Sequence, residues 1–300
     1  MQYYTKQQLQ GSHKYTAHTR VGNWNEDTAV DEVKLQEFIR KKDNGELMLD
    51  AFAARIHAAL NQVPLATAGK SENVQFGDTF QLRSKETEAV VAVDLKDKDP
   101  RADFHAYAVT CSHIAHPCPR NTFVLEKFQH GKNHGTTYIA EYSDQFLHYG
   151  QIVLLRANPA VEKDTDTPLP LFLTSNIVSL TSFSKVSKNQ EVSLTPSTAY
   201  DSAWKVLPVK PEHRDVAEGE PVMAGAPVVI RHCHTGQDLC CLGMQQKNDF
   251  GTEFEICANT VPTNGKNWKL HKDSTGLHDA QHDVAGSQPN FFCFVTGNLS

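Results

Sequence analysis

Apolar side chains recur with two different periods in this chain. In "TAVDEVKLQEFIRKK", Val30, Val33, Leu35, Phe38 and Ile39 return at roughly helical spacing. Thr28 followed by Asp31 reads as a capping pair. Arg40, Lys41 and Lys42 suit the negative end of the helix dipole, and "DNG" stops the helix at Gly45. A second helical pattern runs from Leu47 to about Leu60, with Met48, Phe52, Ile56 and Leu60 on one side, and Pro64 ends it. These signals predict a helical segment over residues 23–70, after an arm at residues 1–22 that shows no clear periodicity.

Beyond residue 70 the period becomes two. "DTFQLRS", "AVVAVDL", "NTFVLEKF", "TTYIAEY", "QIVLLRA", "PLFLTSN", "AWKVLPV", "PVVIRHC", "TEFEICAN" and "FFCFVTGN" are short, rich in β-branched or aromatic residues, and bounded by turn residues. They predict an all-β region over residues 71–300 with about a dozen strands.

That region repeats itself. "FGDTFQLR" (76–83), "YGQIVLLR" (149–156) and "AGAPVVIR" (224–231) share one phrase, with glycines at 77, 150 and 225, so the spacings are 73 and 75 residues. Each phrase leads to a partner strand: "EAVVAVDL", "LPLFLTSN" and "GQDLCCLG". Each unit later carries small or polar residues before an aromatic, in "RNTFVLE", "DSAWKVLP" and "PNFFCFVTGN", which sets Phe123, Trp204 and Phe292 in comparable places. Three multi-strand units, none able to bury its own apolar face, predict closure around a pseudo-threefold axis: a mainly β chain with a β-trefoil whose repeats start near residues 76, 149 and 224. A propeller needs more copies, and an immunoglobulin-like sandwich does not predict a threefold repeat. Within the phrase, the glycine allows a tight turn, and the Phe or Val and the Leu or Ile two positions on face the core. Arg83, Arg156 and Arg231 then point outward, as solvated or intra-loop charge partners or as contacts to an acidic partner surface.

Charge and composition narrow the partners. The chain of 300 residues has a formal net charge of −6, which argues against broad nucleic-acid binding, since that needs a basic face. The first twenty residues lack the apolar core of a secretion signal, and no stretch approaches 18 consecutive apolar residues, so neither a leader nor a membrane helix is expected. Seven cysteines without a secretion signal read as reduced thiols in a cytosolic compartment.

Two clusters carry candidate chemistry. "CSHIAHPC" holds Cys111, His113, His116 and Cys118; "RHCHTGQDLCC" holds His232, Cys233, His234, Cys240 and Cys241. Zinc accepts such donors, but neither cluster has the paired-knuckle spacing of structural zinc sites. Strand alternation would set His232 and His234 on one side and Cys233 on the other. Metal binding is not expected at either cluster. There is no nucleophile elbow, no His-Glu-x-x-His, no phosphate loop and no dinucleotide fingerprint. The adjacent carboxylates Glu26 and Asp27 diverge on a helix and make no acid–base pair. No catalytic residue and no cofactor is expected.

"AGAPVVI" followed by "HCHTGQDLCC" resembles the signature of MIR domains, which are β-trefoils. More closely, "RVGNWNED", "KKDNGEL", "FGD", "RNTF", "YGQ", "IRHCHT" and "VTGN", in that order from about Arg20 to Asn298, resemble the cilia- and flagella-associated protein 161 family. The resemblance implies a microtubule inner protein of axonemal doublet microtubules in the cytoskeleton of the cilium or flagellum. Its implied partners are α- and β-tubulin in the lumen and other microtubule inner proteins, with no nucleic acid, no membrane and no catalysis. "RVGNWNED" is its most specific motif, which makes Arg20, Asn23, Trp24 and Asn25 the candidate partner contacts. Trp24 packs within the chain or staples the arm to a partner. The arm itself, with Tyr3, Tyr4, Lys6, Lys14, Tyr15 and Arg20, folds on an acidic surface or stays an unpartnered tail. The chain departs from the family at residues 271–289, a polar stretch that reads as an insertion, and "FFCFVTGN" is expected to be the last strand. The rival reading is a ligand- or carbohydrate-binding β-trefoil module, which requires a polar and aromatic pocket repeated in each unit.

Overall fold

A computed structural model describes residues 24–66, 73–98, 106–128, 142, 144–162, 169–180, 182–210, 213–261 and 289–297. The chain divides into two compact units, Met1–His57 and Ala58–Ser300. The first holds α1 (Trp24–Asp43) and most of α2 (Met48–Leu60). Helix α1 opens a turn before the expected capping pair, so Thr28 and Asp31 lie inside it and Thr28 is not its cap. Its end is as expected. Gly45 takes φ 69°, the Glu46 N–H donates to the Lys41 carbonyl (2.7 Å) and the Gly45 N–H to that of Lys42 (3.2 Å). That paired closure lets a left-handed glycine satisfy the last free carbonyls of the helix.

The second unit is mainly β. Its strands are β1 (Thr79–Ser84), β2 (Val90–Lys98), β3 (Tyr107–Ser112), β4 (Phe123–Lys127), β5 (Ile152–Ala157) and β6 (Phe172–Ser175). They continue with β7 (Gln190–Thr195), β8 (Trp204–Pro208), β9 (Pro227–His232), β10 (Leu239–Asn248), β11 (Gly251–Ala258) and β12 (Phe291–Val295). Short helical turns interrupt them, α3 (Pro159–Glu162) and α4 (Arg214–Ala217) among these. All pairings are antiparallel within one extended sheet. "FFCFVTGN" does supply the last described strand, whereas "TTYIAEY" up to residue 141 and residues 271–288 lie outside the described residues.

The pairing order repeats every four strands. β1 pairs with β4, β4 with β5, β5 with β8, β8 with β9, β9 with β12, and β12 returns to β1. The remaining strands form the hairpins β2–β3, β6–β7 and β10–β11. These meet one another through β3–β7, β7–β11 and β11–β3.

The thrice-written phrase explains this register. Gly77, Gly150 and Gly225 all have positive φ (85°, 86° and 76°), a conformation open to glycine without strain. Their N–H groups donate at 2.8 Å to the carbonyls of Leu125, Val206 and Phe294, one on each of β4, β8 and β12. The inward pairs that follow, Phe80 with Leu82, Val153 with Leu155 and Val228 with Ile230, are fully buried as the alternation requires. Phe123, Trp204 and Phe292 each lie two residues before those accepting carbonyls, and all three are buried in the core. Phe80 meets Phe294 edge to face at 5.0 Å.

Three residues upstream of each glycine the chain closes on itself. The Val74 N–H donates to the Val222 carbonyl (3.0 Å), Val222 donates to Leu147 (2.8 Å), and Leu147 donates back to Val74 (2.9 Å). This three-membered ring of backbone hydrogen bonds is buried with its side chains. The ring lies between the strands and not within them, so strand periodicity does not reveal it.

Candidate functional site

Each recurring polar position has a local purpose. Before the aromatic of each unit stand Asn121, Ser202 and Asn290, all buried. Asn121 donates through Nδ2 to the carbonyls of Ile114 and His116 (both 2.9 Å). Its Oδ1 accepts from the Cys118 N–H (2.9 Å) and from Gln81 Nε2 (3.0 Å). Asn290 repeats the device: Nδ2 donates to Leu239 (3.0 Å) and Asn259 (2.7 Å), and Oδ1 accepts from Val261 (2.9 Å). Ser202 donates to the Ser197 carbonyl at 2.6 Å. An amide with its valences filled by loop backbone stitches that loop to the barrel and has nothing left for a ligand.

The outward arginines are intramolecular in two cases of three. Arg156 forks onto Glu162 (2.8 Å to each oxygen) and reaches Glu126 at 2.9 Å, and Arg231 grips Asp238 at 2.7 and 3.1 Å. The hydrogen bond to Asp238 raises the Arg231 pKa against the opposing effect of burial. Arg83 is half-buried and has no ion-pair partner among the described residues.

Behind "RNTF" lies a charge pair that the strand periodicity hid. Arg120 and Glu253 are each 2% exposed. The guanidinium donates to both carboxylate oxygens (2.7 and 2.9 Å) and to the Val93 carbonyl (3.2 Å), and it stacks on Phe250 at 3.7 Å from the ring centre. Thr110 Oγ1 also donates to Glu253, at 2.6 Å. Burial pushes the Glu253 pKa up, but the Arg120 hydrogen bonds and charge outweigh it and draw the value down to about 2. The pair fastens β2 and β3 to the β10–β11 hairpin. The available signal was Glu253 and Glu255 within "TEFEICAN", two carboxylates in a strand that is buried on both faces.

Neither His/Cys cluster converges. Cys111 and Cys118 are buried while His113 and His116 are exposed, with His113 packed on Phe254 at 4.6 Å. The expected alternation of "RHCHT" is corrected, because β9 ends at His232 and residues 233–235 turn away. His232 is therefore fully buried and His234 exposed. His232 Nε2 lies 2.8 Å from the Asp201 carbonyl, an acceptor only, so Nε2 carries the proton. Nδ1 accepts from Thr235 Oγ1 at 2.9 Å. Burial lowers the His232 pKa, and with both nitrogens engaged the ring is a neutral brace. Burial likewise raises Cys233 to about 11. All seven cysteines are free thiols, and among the described residues no three His, Cys, Asp or Glu side chains gather as metal ligands would.

Of the candidate contacts, Trp24 and Asn25 lie in the first turn of α1, and Arg20 and Asn23 fall outside the described residues. Phe123, Trp204 and Phe292, the aromatics that recur in comparable places of the three units, are buried core residues and do not line the repeated surface pocket that the carbohydrate reading requires. The helices expose apolar side chains such as Val33, Met48 and Leu49, and within the β unit Ile177, Val178 and Leu180 stand exposed close together in sequence on the long connection between β6 and β7, which no motif singles out. The only hint in sequence was "NIVSL", an apolar run placed where a turn was due.

The family model described as a cilia- and flagella-associated protein 161-like domain matches residues 105–270. Cilia- and flagella-associated protein 161 of Danio rerio is 29% identical over 265 residues, covering 82% of each chain. That of Bos taurus is 29% identical over 254 residues, covering 82% of this chain and 76% of the relative. Among solved structures, the SDF2-like protein from Arabidopsis thaliana aligns at 14% identity and TM-score 0.47, over 74% of this chain and 94% of that one.

Proposed function

Because the chain belongs to the cilia- and flagella-associated protein 161 family, we propose that it is a structural protein of the ciliary or flagellar axoneme that binds tubulin inside the doublet microtubule. The chain is a cilium- and flagellum-associated protein by that membership, and its family is not a known enzyme family. We read the closed ring of six strands, joined by three mutually paired hairpins, as a β-trefoil. The proposed arrangement has the arm and helical segment as a second attachment, with Arg20, Asn23, Trp24 and Asn25 among its contacts.

One observation carries this reading. The motifs that carry the resemblance, "RNTF", "YGQ" and "IRHCHT", are spent on holding the fold together through Asn121, Gly150 and His232. What such a body offers a partner is shape, and many moderate contacts repeated along a lattice give avidity without chemistry. A negative chain meeting acidic tubulin must rely on close fit, since long-range repulsion is screened within about 8–10 Å at physiological salt.

Salt extraction of isolated axonemal doublets tests the placement. The protein is expected to stay with the pellet through high-salt washes and to leave only when the wall is opened, with its density inside the wall in maps of intact doublets. Release by salt from doublets whose walls remain closed would overturn the lumenal assignment.

A further inference from the structure

The connection between β6 and β7 is longer than the fold needs. In the third unit, β10 and β11 are joined by Asp249 and Phe250 alone, whereas the second unit uses residues 176–189. Its tip is apolar and turned to water: Leu180 is 98% exposed, Ile177 61% and Val178 49%. Apolar side chains held out this far contribute nothing to the core, and a cluster of them marks a surface to be covered.

The loop is built to hold that shape. Glu255, buried on β11 of the neighbouring unit, accepts the Val186 N–H at 2.6 Å and the Ser187 N–H at 2.8 Å. At the base, Gln190 Nε2 donates to Ser175 Oγ (2.7 Å), which donates to the Glu191 carbonyl (2.7 Å). Within the loop, Ser179 and Ser182 exchange backbone and hydroxyl hydrogen bonds at 3.0 Å. A pre-shaped loop loses little conformational freedom on docking, which favours affinity.

Its charge runs against that of the chain. Residues 176–189 contain Lys185 and Lys188 and no Asp or Glu, in a chain with 35 Asp and Glu against 29 Lys and Arg. Both lysines are exposed, and Lys188 Nζ is steadied 4.6 Å from the Phe183 ring centre and 2.8 Å from the Lys185 carbonyl. An apolar tip flanked by cations complements an apolar groove edged with carboxylates.

We propose that the β6–β7 loop docks this chain onto tubulin, with Ile177, Val178 and Leu180 seated in an apolar groove and Lys185 and Lys188 facing carboxylates at its rim. The inference rests on the tubulin reading above. The full chain is co-assembled with purified tubulin, and the pelleted fraction is compared among four proteins: wild type, Ile177→Ser with Leu180→Asp, Lys185→Glu with Lys188→Glu, and Val216→Asp. Val216, 81% exposed on α4, controls for adding a charge elsewhere. All substituted side chains are at the surface, so unchanged melting confirms the fold of each variant.

The apolar pair is expected to weaken binding roughly tenfold or more, the charge reversal several-fold with a flattened salt dependence, and Val216→Asp not at all. Wild-type binding retained by both loop variants would overturn the loop and leave the tubulin reading standing. A wild-type chain that does not pellet with tubulin would overturn both. Loop variants that dissolve a homodimer yet still bind tubulin would make the loop a contact between copies, and the inference would fall.

Discussion

Arg120→Ala is expected to destabilise the β unit by about 3–5 kcal/mol, because it leaves the Glu253 carboxylate buried with its cation gone. Against the 5–15 kcal/mol typical of folded domains, that lowers the melting temperature by something on the order of 10 °C. Acid titration supplies an independent reading of the same pair. Glu253 has an ordinary value of 4.5 and is held at about 2 in the fold, so the stability it contributes is present above 4.5 and lost as pH falls toward 2. The size of that contribution is roughly 3 kcal/mol. His232 adds a loss of the same sign at higher pH. The fold keeps it neutral, so its contribution is present above its ordinary 6.5 and declines below. In Arg120→Ala the sign at Glu253 reverses, since protonation relieves an uncompensated buried charge, and the gap to wild type narrows toward pH 4. Differential scanning of both proteins across that range decides it. A variant melting within about 1 kcal/mol of wild type at pH 7 would mean the pair is not the fastening described.

Trp204→Ala is the other large effect. The indole is fully buried, donates through Nε1 to the Leu173 carbonyl at 2.7 Å, and packs on the His232 ring at 4.9 Å. Removal leaves a cavity costing about 3–5 kcal/mol, and it orphans a carbonyl on β6 for a further 1–3 or so. Trp204→Phe restores most of the ring but not the donor, and about 1–3 kcal/mol of the loss should remain. Chemical denaturation of the three proteins separates the two contributions. Equal stability of the Ala and Phe variants would show that ring packing plays no part.

Most of the β unit is legible in the sequence, because a strand buried on one face writes its period into the chain. The three glycines, the inward pairs after them and the buried aromatics follow from that rule. Strands β3 and β7 escaped it for different reasons. In "YAVTCS" five of six residues are buried, so no polar face alternates with an apolar one. In "QEVSLT" the inward set opens with Gln190, a polar side chain satisfied by Ser175 and Thr235. "RHCHT" misled because a turn begins directly after His232, and a turn suspends alternation without changing composition. The Arg120–Glu253 pair joins residues 133 positions apart, a link no local pattern encodes. The exposed tip at Ile177–Leu180 was unreadable for the opposite reason: an apolar run in a loop looks like core until its surroundings are known.

The ring through Val74, Leu147 and Val222 sets a condition on how this body comes into being. Its members are 73, 75 and 148 residues apart, so the last bond closes only after the chain has made nearly the whole circuit. Loop-closure entropy must be met before that bond returns anything, which makes assembly slow and its final step late. Removing any one third takes away both a donor and an acceptor from the other two. The three sections of the β unit are therefore expected to stand or collapse as one, so a chain cut between Val74 and Val222 should not fold.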